Sequence, residues 1–177
     1  MKRLLYHFCL LTFDFCLLTW FFAFPASPAD LRLGRAAVPI TPPIGTPMGG
    51  SYALRLSDGV LDELYAKAVV LEKDGARVAM VVCDVVAVST PVVEEARRLI
   101  QKSTGLGADQ VMISATHNHS GPLMTGRGSR DSAYGGNLEI LQKYMATLPE
   151  KIAESVRLAN ANLAPVRVSA AISARLP

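Results

Sequence analysis

Cysteine is scarce. The sequence holds three, and Cys9 and Cys16 fall in the first 29 residues, which leaves Cys83 alone in the rest. An internal disulfide framework is therefore excluded there, and stability has to come from an apolar core. An excess of one charge is lacking too. Lys and Arg number 18 against 15 Asp and Glu. That balance gives no basic footprint, so no nucleic acid is expected as a partner. Histidine numbers three, with only His117 and His119 beyond the first 29 residues. Also missing are a GxSxG elbow, a phosphate loop, a GxGxxG fingerprint and an HExxH helix. What remains is an ordinary globular composition. The chain has 177 residues, 50% apolar and 19% charged, with 13 Gly and 11 Pro. Disordered and collagen-like classes are excluded, and the length suits one domain or a piece of a larger one.

Residues 1–29 read as an export leader. Lys2 and Arg3 open it, and an apolar stretch from Leu4 to Phe24 follows, interrupted by His7 and Asp14. Its unbroken part, Phe15 to Phe24, has the length of a signal-peptide core. Ser27 and Ala29 are small residues at cleavage spacing before Asp30. Asp14 at a bilayer centre costs about 2.5–3.5 kcal/mol on insertion scales. That favours a cleaved signal peptide over a retained anchor, and predicts a secreted or periplasmic product. The pentapeptide FCLLT occurs twice in this leader, which reads as a local duplication.

Beyond it, Leu31 to Val38 reads as a strand. Pro39 to Gly50 then carries four prolines and three glycines that no helix or central strand tolerates. Leu64 to Leu71 and Arg77 to Val86 read as strands joined through Asp74-Gly75, a hairpin signal. The second lacks polar alternation, which predicts burial on both faces. Asp84 inside it is anomalous: a buried carboxylate is either an acceptor for backbone amides or part of a site. Thr90-Pro91 opens a helix with Val93, Ala96, Leu99 and Ile100 inward, ending near Gly105. Gln110 to Ala115 is another strand. Leu138 to Thr147 is helical in pattern, and Pro149 begins a second helical segment with Ile152, Val156, Ala159 and Leu163 inward. Val166 to Ala174 reads as a last strand. The order predicts an α/β layered domain with a mixed β-sheet flanked by helices.

Chemistry concentrates at Thr116-His117-Asn118-His119-Ser120-Gly121-Pro122. On extended backbone, residues i and i+2 share a face, so both imidazoles aim together at a strand end. Imidazole ligates zinc and also transfers protons near neutral pH. The spacing alone leaves two readings open, a metal site or two ordinary loop histidines. Two histidines do not complete a catalytic zinc site, which takes three protein ligands and one open position. Ser120 as a nucleophile is disfavoured, because a base adjacent in sequence rarely has the geometry to activate it.

At Ser114 to Pro122 the sequence resembles the neutral/alkaline, non-lysosomal ceramidase family, whose pattern is a strand followed by Thr-His-Thr-His-Ser-Gly-Pro. Asn118 stands in place of the middle threonine. Similar stretches follow in the same order: Gly34-Arg35-Ala36 with Ile40-Thr41-Pro42-Pro43, Met48-Gly49-Gly50-Ser51-Tyr52, Leu64-Tyr65-Ala66-Lys67-Ala68, and Val81-Val82-Cys83-Asp84-Val85. The resemblance implies a zinc-dependent amidohydrolase that cleaves the N-acyl bond of ceramide or a related lipid amide, with peripheral contact to a membrane. It maps a Zn2+ ligand onto His117 and a catalytic neighbour onto His119. It also implies that residues 30–177 are the N-terminal part of a larger catalytic domain. In the family the remaining zinc ligands and a serine lie downstream of the matched stretch. The expected product is then weakly active or inactive alone, and the alternative is a non-catalytic exported binding or scaffold domain.

Overall fold

The computed structural model describes residues 31–125 and 130–169. The leader expected over residues 1–29 and most of the last predicted strand lie outside the described residues.

Among the described residues, five strands form one mixed sheet. They are β1 (Arg32–Pro39), β2 (Tyr65–Lys73), β3 (Ala76–Cys83), β4 (Val111–Ala115) and β5 (Ala164–Pro165), in the order β4-β3-β2-β1-β5. β3 and β4 run parallel, and every other pairing is antiparallel. The β2–β3 hairpin turns on Asp74 (φ 52°) and Gly75 (φ 80°). Two consecutive positive φ angles make the turn whose twist matches the flanking strands, and Asp-Gly adopts it at low cost. The parallel pair needs a crossover. Helix α1 (Thr90–Thr104) supplies it, and Gly105 ends that helix at φ 76° with its N–H on the Gln101 carbonyl at 2.9 Å. A short α2 (Arg130–Ala133) precedes the long α3 (Glu139–Ala161).

α3 lies across β1, β2 and β3, with α1 packed beside it. The core sits between. Ala66, Ala68, Val70, Ala79, Val81 and Cys83 point from the sheet, and Ile100, Leu141, Leu148, Ile152 and Val156 meet them from the helices. Gly34 permits the closest approach, since a Cβ there would fall 1.8 Å from the Ala159 carbonyl oxygen.

Three expectations are corrected. Pro149 does not start a new helix; α3 runs unbroken through it. An interior proline costs about 3 kcal/mol or more. The stripe Leu141, Tyr144, Leu148, Ile152, Val156 and Ala159 is buried along the whole length, and that packing outweighs the local penalty. Strand β3 is not buried on both faces. Its residues alternate, with Val78, Met80 and Val82 exposed by 46%, 37% and 36% on the face away from the helices. Of the last predicted strand, Val166 to Ser169 are described and form no strand, and β5 instead pairs Ala164 and Pro165 with Leu33 and Arg32 of β1.

Candidate functional site

The parallel pairing of β3 and β4 brings their carboxyl ends side by side, the usual place for a site in such sheets. The chain leaving β4 is tied to the chain leaving β3. The Thr116 amide donates to the Cys83 carbonyl at 3.0 Å, and the His117 amide donates to Val85 at 3.1 Å. His117 has φ 59°, a left-handed conformation uncommon for a side chain with a Cβ and often found at functional positions. The histidine segment is therefore not extended, and the two-residue parity argument does not explain the pairing. A left-handed residue does.

The two rings do meet. Their centroids are 5.2 Å apart with planes at 71°, and both residues are exposed. His117 Nδ1 lies 2.8 Å from the Val86 carbonyl oxygen. A carbonyl only accepts, so Nδ1 carries the proton and Nε2 of the neutral ring keeps its lone pair. Backbone carbonyls hold metal-ligating histidines in this way. His119 is braced from the other side. A Cβ on Gly50 would sit 2.3 Å from its Cγ. The Pro47–Gly50 segment is itself clamped to the loop after the histidines: Gly49 N–H donates to Gly121 at 2.9 Å and Leu123 N–H donates to Pro47 at 2.7 Å.

Asp84 is not drawn to the histidines. It accepts the Tyr65 amide at 3.1 Å and meets Lys67 Nζ at 2.9 Å, with its side chain 13% exposed. The backbone-acceptor alternative describes it. Asn118 Nδ2 is 3.4 Å from the Thr116 hydroxyl, while its Oδ1 is buried without a hydrogen-bond partner. Ser120 is exposed. Sequence reasoning missed the Val86 carbonyl and Gly50. Both act on the histidines across about thirty or more positions, for which no local pattern exists.

Two imidazoles bound through one nitrogen each to a tetrahedral zinc, at about 2.0–2.1 Å, have ring centroids roughly 5 Å apart. The observed separation fits that, although an edge-to-face ring pair spans the same range. His117 Nε2 is the nitrogen left available to one corner of a zinc site, with the His119 ring beside it. No group of three or more His, Cys, Asp or Glu side chains that could hold a metal occurs among the described residues.

Among solved structures the fold matches neutral ceramidase from Pseudomonas aeruginosa, with 28% identity and a TM-score of 0.61. A ceramidase complexed with C2 matches with the same values. Each match covers 77% of this chain and 22% of the other. This is a neutral ceramidase-like chain. It spans about a fifth of the length of the ceramidases it matches, and its α/β sheet corresponds to part of their larger fold. No family model matches the chain, and no curated protein does.

Proposed function

We propose that this ceramidase-like chain carries the paired-histidine portion of a zinc-dependent amidohydrolase acting on the N-acyl bond of ceramide or a similar lipid amide. The observation that carries the reading is the meeting of the His117 and His119 rings, 5.2 Å apart and open to solvent at the strand ends. Similarity to neutral ceramidases supports the substrate class. So does the exposure of Tyr52, Leu54 and Leu61 on the loop that reaches His119 through Gly50, since an apolar surface beside the site suits a lipid and contact with a membrane.

Bound zinc would supply Lewis-acid polarisation of the amide carbonyl and activation of a water. His117 would hold it through Nε2, left free by the Nδ1 bond to Val86. His119, with its ring beside that ligand, takes the proton that water gives up and returns it to the departing amine nitrogen. The carbon–nitrogen bond breaks as a carbon–oxygen bond forms, and the products are an amine and a fatty acid. Export through the leader would bring the chain to lipid outside the cytoplasm.

Elemental analysis of the purified chain after zinc loading tests this. Weak zinc uptake, lost in His117→Ala, is expected, with at most weak turnover of a fluorescent ceramide that His119→Ala abolishes. Absence of zinc from the parent chain would favour a non-catalytic exported binding domain. That second reading draws on the missing third donor among the described residues.

A further inference from the structure

We infer that Gly50 is a positioning residue for His119: the space where its side chain would be is the seat of that imidazole. The inference rests on the proposed role of the histidine pair, but its geometry stands apart from it. A Cβ built at Gly50 falls 2.3 Å from Cγ, 2.5 Å from Nδ1 and 2.6 Å from Cβ of His119. These are the root of the ring rather than a flexible tip, so no rotation of the imidazole in place relieves the contact. The neighbouring Gly49 is also confined, though less tightly, with a built Cβ 2.9 Å from the Pro122 carbonyl oxygen and 2.9 Å from Val86 Cγ1. Val86 is also the residue whose carbonyl holds His117. The Gly49-Gly50 pair therefore wedges between the two histidine supports. It is anchored there by the Gly49–Gly121 and Leu123–Pro47 hydrogen bonds and by the bridge between Met48 and Pro122. Any side chain at position 50 must push His119 off its present place beside His117, and displaced ligand supports typically weaken metal binding about 10–100-fold.

Gly50 also has φ +78°, so an alanine there suffers backbone strain regardless of the ring. Gly45 separates the two effects. It lies in the same loop at φ +89°, and its built Cβ has no neighbour closer than Ile140 Cδ1 at 3.8 Å. Gly45→Ala carries the strain without the collision.

The experiment is a double-mutant cycle with thermal unfolding as the readout. Gly50→Ala is expected to lower Tm further than Gly45→Ala. In a His119→Gly background, where the ring and its Cβ are both gone, Gly50→Ala should cost no more than Gly45→Ala does. Equal cost of Gly50→Ala in both backgrounds overturns the inference. If Gly50→Ala does not fold, the double variant decides: folding of Gly50→Ala/His119→Gly supports the seat, and failure of both overturns it. Visible absorption of added Co2+ gives the second readout. Gly50→Ala should weaken Co2+ binding at least about tenfold while Gly45→Ala stays within twofold, and equal weakening by the two counts against positioning. If the parent chain shows no Co2+ band, the proposed zinc function fails, and the thermal cycle still tests the seat.

Discussion

Tyr144 on α3 donates its hydroxyl proton to the carbonyl of Ile40 at 2.7 Å, joining residues 104 positions apart. Both residues are buried. The Ile40 amide donates in turn to the Leu64 carbonyl at 2.7 Å. One hydroxyl thus pins both ends of the loop that carries the Pro47–Gly50 segment. Burial, with Cys83 close by, pushes the Tyr144 hydroxyl well above the ordinary tyrosine range, so it remains a donor. Tyr144→Phe strands a buried carbonyl, which costs about 1–3 kcal/mol. Urea unfolding should show that loss. A cost under about 0.5 kcal/mol would mean that another donor, such as water, replaces the hydroxyl.

Asp84 and Lys67 form an ion pair whose two halves differ in worth. Lys67 is 56% exposed on its side chain and Asp84 only 13%. Exposed pairs contribute about 0–1 kcal/mol, so Lys67→Ala should lower stability by no more than that. Asp84→Ala also deprives the Tyr65 amide of its acceptor and should cost about 1–3 kcal/mol. The two variants, compared by denaturant midpoint, rank these roles. A larger loss for Lys67→Ala would show that charge rather than backbone satisfaction is what Asp84 provides.

Local chemistry was legible where it is local. Asp74-Gly75 writes its turn in two residues, and Gly105 writes its helix end in one. Thr116 to Pro122 stands out as a candidate site by its residue types alone. Long-range packing was not legible. Pro149 reads as a break because its penalty is local, while the buried stripe that overrides it comes from a sheet far away in sequence. Asp84 reads as an anomaly because its partners, Tyr65 and Lys67, lie on another strand. His117 and His119 were rightly expected to meet, but on the wrong backbone: the extended parity argument fails at φ 59°, and the left-handed turn at His117 brings the rings together.

β3 shows why an apolar run does not report which faces are covered. Val78, Met80 and Val82 share the outer face with Met112 of β4, which is 51% exposed. Parallel strands are ordinarily covered on both sides, yet no helix among the described residues lies on this face. The apolar surface should therefore bind an environment-sensitive dye such as ANS in the folded chain. Met80→Lys should cut that fluorescence while costing less than about 1 kcal/mol, because a half-exposed side chain loses little burial. A large destabilisation would mean that the outer face is covered in solution.

Cys83 makes stability fall in alkali. Burial, and secondly the nearby Asp84 carboxylate, push its thiol from 9.0 up to about 12. The folded chain then keeps a proton that the unfolded chain releases above pH 9. Stabilisation by the neutral thiol is complete below pH 9 and declines as pH rises toward 12. Tyr144, also raised by burial, adds a loss of the same sign that begins nearer pH 10. Urea titrations at pH 8, 9, 10 and 11 should show a falling unfolding free energy. The decline should be shallower in Cys83→Ala, whatever that variant's cost at pH 8. Ellman's reagent gives an independent check: at pH 8 the native thiol should react only after unfolding, because the thiolate is the reacting form. Rapid labelling of the folded chain would place Cys83 outside the core and remove the basis for the alkaline slope.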